Sequence, residues 1–408
     1  MAVRSESVNF TGALGDSLAA RIDRPIGPTR GFALFAHCFT CSKDLAAARR
    51  ISDGLAERGI AVLRFDFTGL GHSDGEFANT TFASNIEDLV AAADWMRAEL
   101  EAPTILIGHS LGGAAVLAAA ERIPEAKGVA TIGAPADPGH VVHNFGDRVA
   151  EIERDGEAEV VLGGRPFRVR KAFLDALKDH GLEATIGRLR RDLLIFHAPL
   201  DQTVGIDNAG KLFAAARHPK SFVSLDQADH LLTRTADAAY VAAVLSGWAE
   251  RFLPTARPAS IAVSEGEVAV IDAAEGVFPQ WVAAGSHRLR ADEPASVGGG
   301  DSGPAPYDFL LAALGACTNM TLKMYAKRKG WRIEQLETRL RHDRVHAEDC
   351  ADCETKEGMV DRIDRRIIIE GPLDADQRAR LAEIADKCPV HRTLHNEITV
   401  VTEITGGG

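Results

Sequence analysis

Thr104-Ile-Leu-Ile-Gly108-His109-Ser110-Leu111-Gly112-Gly113 decides the reading of the first part of the chain. Thr104–Gly108 is a short apolar run of the kind that forms a buried strand. Residues 111–122 read as a helix. Between them stands Ser110, in a G-x-S-x-G pattern. A serine on a tight strand-to-helix turn is strained and exposed, and glycines flank it because side chains there would clash. Its hydroxyl is a weak nucleophile until a base takes the proton, and the base needs a carboxylate to fix its tautomer. The expected chain order is Ser, Asp, His. Asp201 follows the apolar run ending at His197, and His230 follows the run Lys220–Leu225. Asp207, Asp226 and Asp229 compete for the acid's place. His109, inside the elbow, reads as a packing residue.

Outward from the elbow the chain alternates. Apolar runs at Gly31–His37, Gly59–Phe65, Gly128–Gly133 and Asp192–His197 are separated by helical stretches at 44–58, 82–100, 206–217 and 235–252. That rhythm predicts an α/β domain, a doubly wound sheet with right-handed crossovers. It breaks between the strands near 133 and 192, where an insertion at about 137–190 is expected to form a cap. The acidic run 151–159 within it reads as a solvated face.

Leu253-Pro-Thr-Ala-Arg-Pro-Ala-Ser260 reads as a linker. Beyond it the pattern changes. Residues 261–292 alternate apolar and polar, as in a half-exposed antiparallel sheet. A Gly/Pro-rich loop, 297–306, precedes a long helix at 306–329. Strands are expected at 331–345 and 360–370, a helix at 374–387 and a last strand at 396–404. This is an α+β domain, giving 1–255 and 256–408 as the two domains.

With 408 residues, 46% apolar and 25% charged, two globular domains are the expected count. A net charge of −12 argues against a nucleic-acid partner. No apolar run reaches the roughly 18–20 residues of a membrane-spanning helix. The N-terminus lacks the apolar core of a signal peptide, so a cytoplasmic protein is expected. Six cysteines are too few for a disulfide framework and read as reactive, metal-binding or buried.

The first 255 residues resemble the α/β-hydrolase family. The matches are the elbow, Asp66-Phe-Thr-Gly-Leu-Gly-His-Ser73, the Asp201 loop and the His230 loop. The resemblance implies a Ser110–Asp201–His230 triad and an oxyanion hole from the backbone amides of Leu111 and Phe39. The family usually carries His-Gly before that second amide; this chain has His37-Cys38. Cys38-Phe-Thr-Cys41 on the same loop reads as packing.

A second nucleophile candidate is Cys317, on the long apolar helix, with Cys388 at the end of the later one. A peroxide-reducing cysteine must be a thiolate, so it needs a positive or dipolar neighbour. Its sulfenic acid is then resolved by another thiol. Pro304-Ala-Pro-Tyr-Asp-Phe-Leu-Leu-Ala-Ala-Leu-Gly-Ala-Cys317-Thr and Cys388-Pro-Val-His-Arg-Thr-Leu394 resemble the OsmC/Ohr family of thiol peroxidases. The resemblance implies Cys317 as the peroxidatic residue, Cys388 as the resolving one, and an intertwined homodimer. It also implies a thiol reductant, either a small dithiol or a lipoylated protein. The family's glutamate and arginine have no positional match. Tyr307 stands at the glutamate position, with Asp308 one residue out of step, and Arg288, Arg290 and Arg392 are the substitute cations.

His346-x3-Cys350-x2-Cys353 has ligand types suited to zinc; a redox pair and a polar loop with incidental cysteines are the other readings. The charge clusters 339–344 and 361–366 read as exposed strand faces. The whole chain therefore reads as a serine esterase fused to an OsmC-like reductase of organic hydroperoxides. Neither reaction requires a metal or organic cofactor. The alternative is an active esterase joined to a non-peroxidatic OsmC-like dimerisation or binding domain. On both readings the small-molecule substrate is met without nucleic acid or membrane.

Overall fold

The computed structural model describes residues 3–27, 29–38, 41–162, 165–178, 182–254, 263–273, 276–346 and 358–406. The chain forms two compact units, 1–260 and 261–408.

The first unit opens with β1 (Arg4–Thr11), β2 (Ser17–Arg24), β3 (Gly31–Ala36), α1 (Ala46–Ala56), β4 (Ile60–Phe65) and α2 (Phe82–Glu99). It continues with β5 (Ile105–His109), α3 (Leu111–Ala119), β6 (Gly128–Ile132), α4 (Arg148–Asp155), β7 (Glu157–Leu162), β8 (Arg165–Arg170), α5 (Lys171–Lys178) and α6 (Leu182–Arg188). It closes with β9 (Asp192–His197), α7 (Asp207–Ala215), β10 (Lys220–Ser224) and α8 (Thr235–Ala249). Eight strands make one sheet in the order β1-β2-β4-β3-β5-β6-β9-β10. β1, β2 and β4 pair antiparallel, and every pair from β4 to β10 is parallel.

The apolar runs are continuous because both faces of the sheet are covered. Ala33, Phe35, Val62, Ile105 and Ile107 pack on α1 and α8 through Ile51, Leu55, Val241 and Leu245. Their neighbours Leu34, Leu63 and Leu106 join the opposite layer with Leu89, Met96, Val116 and Leu117 of α2 and α3. The segment expected as a cap holds a 3₁₀ turn at Pro138–Phe145, α4, the β7–β8 hairpin, α5 and α6. Its Phe145, Ile152, Val160, Phe173 and Leu177 are buried in that second layer.

The second unit has β11 (Val268–Asp272), β12 (Gln280–Ala284) and β13 (His287–Ala291) as an antiparallel sheet. Then follow α9 (Pro306–Lys329), β14 (Gln335–His346), β15 (Met359–Glu370), α10 (Ala375–Ala385) and α11 (Pro389–Leu394). α9 starts where Pro306 takes the first helical position and the Asp308 carboxylate accepts the Ala305 N–H at 2.9 Å. It ends at Gly330, whose φ of 70° suits a residue without a Cβ. Leu322, Leu381, Ile384 and Ala385 form the core between α9 and α10, with Leu336, Ile367 and Ile369 packed against it.

The strand expected over 396–404 does not form in this chain. Its Ile398, Val400, Val401 and Ile404 are 56–94% exposed. A strand is made by a neighbour, and this segment has the pattern without a partner among the described residues. Among the described residues no helix is long and apolar enough to cross a membrane.

Candidate functional site

Ser110 occupies the turn between β5 and α3 with φ of 56°, and its N–H donates to Ile132 O at 2.8 Å. Two glycines make the turn affordable. A Cβ on Gly108 would strike the backbone of Gly112 and Gly113, and one on Gly112 would sit 2.5 Å from the carbonyls of Ala36 and His37. The Leu111 N–H opens α3, where the first amides of a helix have no partner within it. Phe39 lies outside the described residues.

His230 Nε2 lies 3.0 Å from Ser110 Oγ, and His230 Nδ1 lies 2.7 Å from Asp201 Oδ2. The carboxylate takes the Nδ1–H and leaves Nε2 as an acceptor for the serine hydroxyl. The other Asp201 oxygen accepts the N–H groups of Thr203 and Val204 at 2.8 and 2.9 Å. Burial pushes the Asp201 carboxyl up. His230 and the two backbone donors more than offset this and hold it below the usual carboxylate range. The competing carboxylates are occupied elsewhere: Asp207 by Lys211, Asp226 by Ser224 and Asp229 by Thr233.

Two buried histidines hold the loops that carry this arrangement. His197 donates Nε2–H to Val204 O at 2.8 Å, across the Asp201 turn. His109 donates Nε2–H to the carbonyl of His230 at 2.7 Å. His109 therefore orients His230 through its backbone, which the sequence reading as packing missed; no spacing rule marks the residue before an elbow serine.

Burial first, then the charge of His230, push the His109 imidazolium from 6.5 down to about 4. Between those values the unfolded chain binds a proton that the folded chain refuses. Stability therefore rises with pH across that window, and falls by about 3 kcal/mol as pH drops through it. His109→Gln keeps a donor and lacks the titration. It is expected to remove that part of the acid loss, read as the denaturation midpoint against pH. An unchanged slope assigns the loss to another group.

Behind the elbow lies a buried charge network. Lys43 reaches Asp66 through its N–H and its Nζ, at 2.5 and 2.7 Å. Arg64 Nε donates to Asp23 at 2.7 Å, and its Nη1 to Lys43 O. Cys38 and Cys41 are joined as a disulfide, so the expectation of plain packing there is corrected. The spacing permits both, and only the local turn brings the sulfurs together.

In the second unit Cys317 and Cys388 are free, the first half-buried and the second fully buried. Cys388 caps α11, and its Sγ accepts the His391 N–H at 3.3 Å. The hydroxyl of Thr318, next in sequence to Cys317, lies 3.7 Å from that sulfur. Arg365 Nη1 donates to Thr318 Oγ1 at 3.2 Å, and its Nη2 to Asp386 at 2.5 Å. This cation is 14% exposed, so the reading of 361–366 as an exposed face is wrong at Arg365.

Arg288 and Arg290, two of the three expected cations, have other partners. Arg288 donates to Gly285 O, and Arg290 donates to Ser302 and lies over the Trp281 ring at 4.8 Å. Arg392 lies on α11, and Asp308 serves as the α9 cap. A cleft of about 540 Å³ opens beside Arg365, with Leu310, Leu314, Ile363 and Leu394 as its apolar lining. Tyr307 stacks on His342 there at 4.1 Å, and His342 Nε2 is 2.9 Å from Asp361. His346 ends β14, while Cys350 and Cys353 lie outside the described residues. Among the described residues no three His, Cys, Asp or Glu side chains are placed to hold a metal.

Two family profiles match the chain: serine aminopeptidase S33 over residues 35–154 and OsmC-like protein over residues 298–403. The esterase domain of a Rhodothermus marinus protein is 54% identical, with a TM-score of 0.52, and covers 61% of this chain and 99% of its own. The α/β hydrolase GrgF of Penicillium sp. sh18, 18% identical with a TM-score of 0.52, covers 61% of this chain and 99% of its own and shares the fold. The mouse mitochondrial palmitoyl-protein thioesterase ABHD10 is 29% identical over 187 residues, which is 44% of this chain and 62% of that protein. The chain thus spans less than two thirds of this curated relative. Elbow, sheet order and relatives agree: the chain belongs to the α/β-hydrolase family through its first unit and carries an OsmC-like domain in its second.

Proposed function

We propose that residues 1–260 hydrolyse a carboxylic ester or thioester through an acyl-enzyme on Ser110. His230 takes the serine proton and later gives it to the leaving group. Asp201 fixes the tautomer and offsets the imidazolium charge. The amides of Leu111 and Phe39 hold the oxyanion as charge develops. The observation that carries this reading is the pair of contacts from His230, 3.0 Å to Ser110 and 2.7 Å to Asp201. The likeness to an esterase domain and to a palmitoyl-protein thioesterase supports the acyl class. The test is a panel of p-nitrophenyl esters and acyl thioesters, from acetyl to palmitoyl, with Ser110→Ala as the blank.

The same proposal gives the second unit the reduction of organic hydroperoxides. The Cys317 thiolate attacks the peroxide, releasing an alcohol and leaving a sulfenic acid. Cys388 displaces water to form a disulfide, which a small dithiol or a lipoylated protein then reduces. Arg365, one hydroxyl away from Cys388, supports this assignment. The second reading is a dimerisation or binding domain without peroxidase activity. Tyr307, at the family's glutamate position and stacked on His342 in the cleft, favours it.

Assembly as a homodimer through the second unit is part of the proposal. Val268 and Val270 of β11 are 59% and 60% exposed, and the unpaired 398–404 segment offers a strand to a second copy. Light scattering of the full chain is expected to give twice its 43.6 kDa. Val400→Asp, whose residue is 82% exposed in the single chain, is expected to yield the monomer. A wild-type monomer at micromolar concentration contradicts the proposal.

A further inference from the structure

Strand β6 ends among the three residues of the proposed triad. Its last carbonyl, Ile132 O, accepts the Ser110 N–H at 2.8 Å. Gly133 follows, and its N–H donates at 2.9 Å to Phe196 O, on the strand that leads into the Asp201 turn. Ala134 comes next and closes on the elbow helix: a Cβ on Gly113 would stand 2.5 Å from the Ala134 Cβ. This short segment therefore backs the nucleophile on one side and the loop of the acid on the other.

Gly133 stands closest to the chemistry. Its φ is 54°, in the left-handed region. A Cβ there would lie 3.3 Å from Asp201 Oδ2 and 3.3 Å from His230 Nδ1, the two atoms whose 2.7 Å contact carries the imidazole proton. It would also lie 3.5 Å from His230 Cε1. The intrusion falls on the acid–base hydrogen bond itself. Neither partner has much room to yield. The Asp201 side chain is 1% exposed, and its other oxygen is fixed by the N–H groups of Thr203 and Val204. The His230 carbonyl is fixed by His109, so its ring must turn away from the carboxylate. In an active site a displacement of about 1 Å costs as much as about 10²-fold in rate.

We propose that Gly133 is a positioning residue of the triad: its bare Cα lets Asp201 and His230 close to contact, and a side chain there uncouples the acid from the base. The proposal rests on the esterase reading. A substitution at this position has two costs, and they separate. Backbone strain at a positive φ is large for Ala and smaller for Asn, which visits the left-handed region more readily. Intrusion on the hydrogen bond is the reverse, because both residues bring the Cβ and Asn brings more behind it. If strain alone matters, Asn restores what Ala loses. If Gly133 sets the Asp201–His230 contact, Asn loses at least as much as Ala.

The test uses the full-length chain with Gly133→Ala and with Gly133→Asn, assayed on p-nitrophenyl butyrate below both denaturation midpoints. The expected kcat is about 10-fold lower for Ala and between about 10-fold and 10²-fold lower for Asn, with KM changed less in both. The proton between His230 Nδ1 and Asp201 gives a second readout. It is followed as a downfield resonance of the proton spectrum, identified by its absence from His230→Ala. In both variants it is expected to move upfield or to be lost by exchange with water. The proposal is overturned by an Asn variant with wild-type kcat, which assigns any loss in Ala to strain, or by a fall in kcat that leaves this resonance unmoved. If Gly133→Ala does not fold, the Asn variant decides alone. If the wild type cleaves no ester, the esterase reading fails. The resonance in the two variants then still reports whether Gly133 sets the Asp201–His230 contact.

Discussion

Ser110→Ala is expected to lower kcat for ester hydrolysis by about 10⁴-fold or more while leaving the fold intact. The side chain sits on a strained turn that Ala tolerates as well as Ser does, so the loss is chemical. His230→Ala is expected to cost about as much, because nucleophile and base act as a unit and the two losses do not add. Asp201→Asn also falls severely, by about 10⁴-fold, since a neutral amide no longer selects the tautomer with a free Nε2. The measurement is kcat on the best ester of the panel, with denaturation midpoints as the control for folding. Near-wild-type turnover in Asp201→Asn contradicts the carboxylate assignment that the 2.7 Å contact supports.

Cys317→Ser is expected to abolish hydroperoxide consumption and to leave ester hydrolysis at its wild-type rate. Cys388→Ser is expected to consume one equivalent and stop, leaving a sulfenic acid that dimedone traps. Arg365→Met tests the cation. It keeps much of the apolar stem beside Thr318 and Asp386 and removes the charge, so peroxide reduction slows while the fold is kept. If the Cys317→Ser protein still consumes hydroperoxide, the second unit is the dimerisation or binding domain of the alternative reading.

The elbow was legible because its chemistry and its backbone make the same demand. A serine on a φ of 56° leaves room for glycine at 108 and 112, and the sequence carries both. The central parallel strands were legible because burial on both faces leaves few polar residues in them. The long helix was legible to its ends, since Pro306 and Gly330 mark them. What failed has a common cause, which is a partner far away in sequence. Arg365 stands between Asp364 and Arg366 like any exposed strand residue, and only Thr318, Ala385 and Asp386, brought from elsewhere in the chain, shelter it. His109 looks like elbow filling until the His230 loop folds back 121 residues later. The segment 396–404 has the alternation of a strand and no neighbouring strand among the described residues. Cys38-x-x-Cys41 is compatible with packing or bridging, and the turn between the buried anchors decides it.

The central claim is that Ser110 is the activated nucleophile of the first unit. Labelling the full chain with a fluorophosphonate and mapping the adduct by peptide mass spectrometry tests it most directly. The account predicts one adduct per chain, on Ser110, lost in His230→Ala. An adduct on another residue, or ester cleavage by a protein whose Ser110 stays unlabelled, contradicts it.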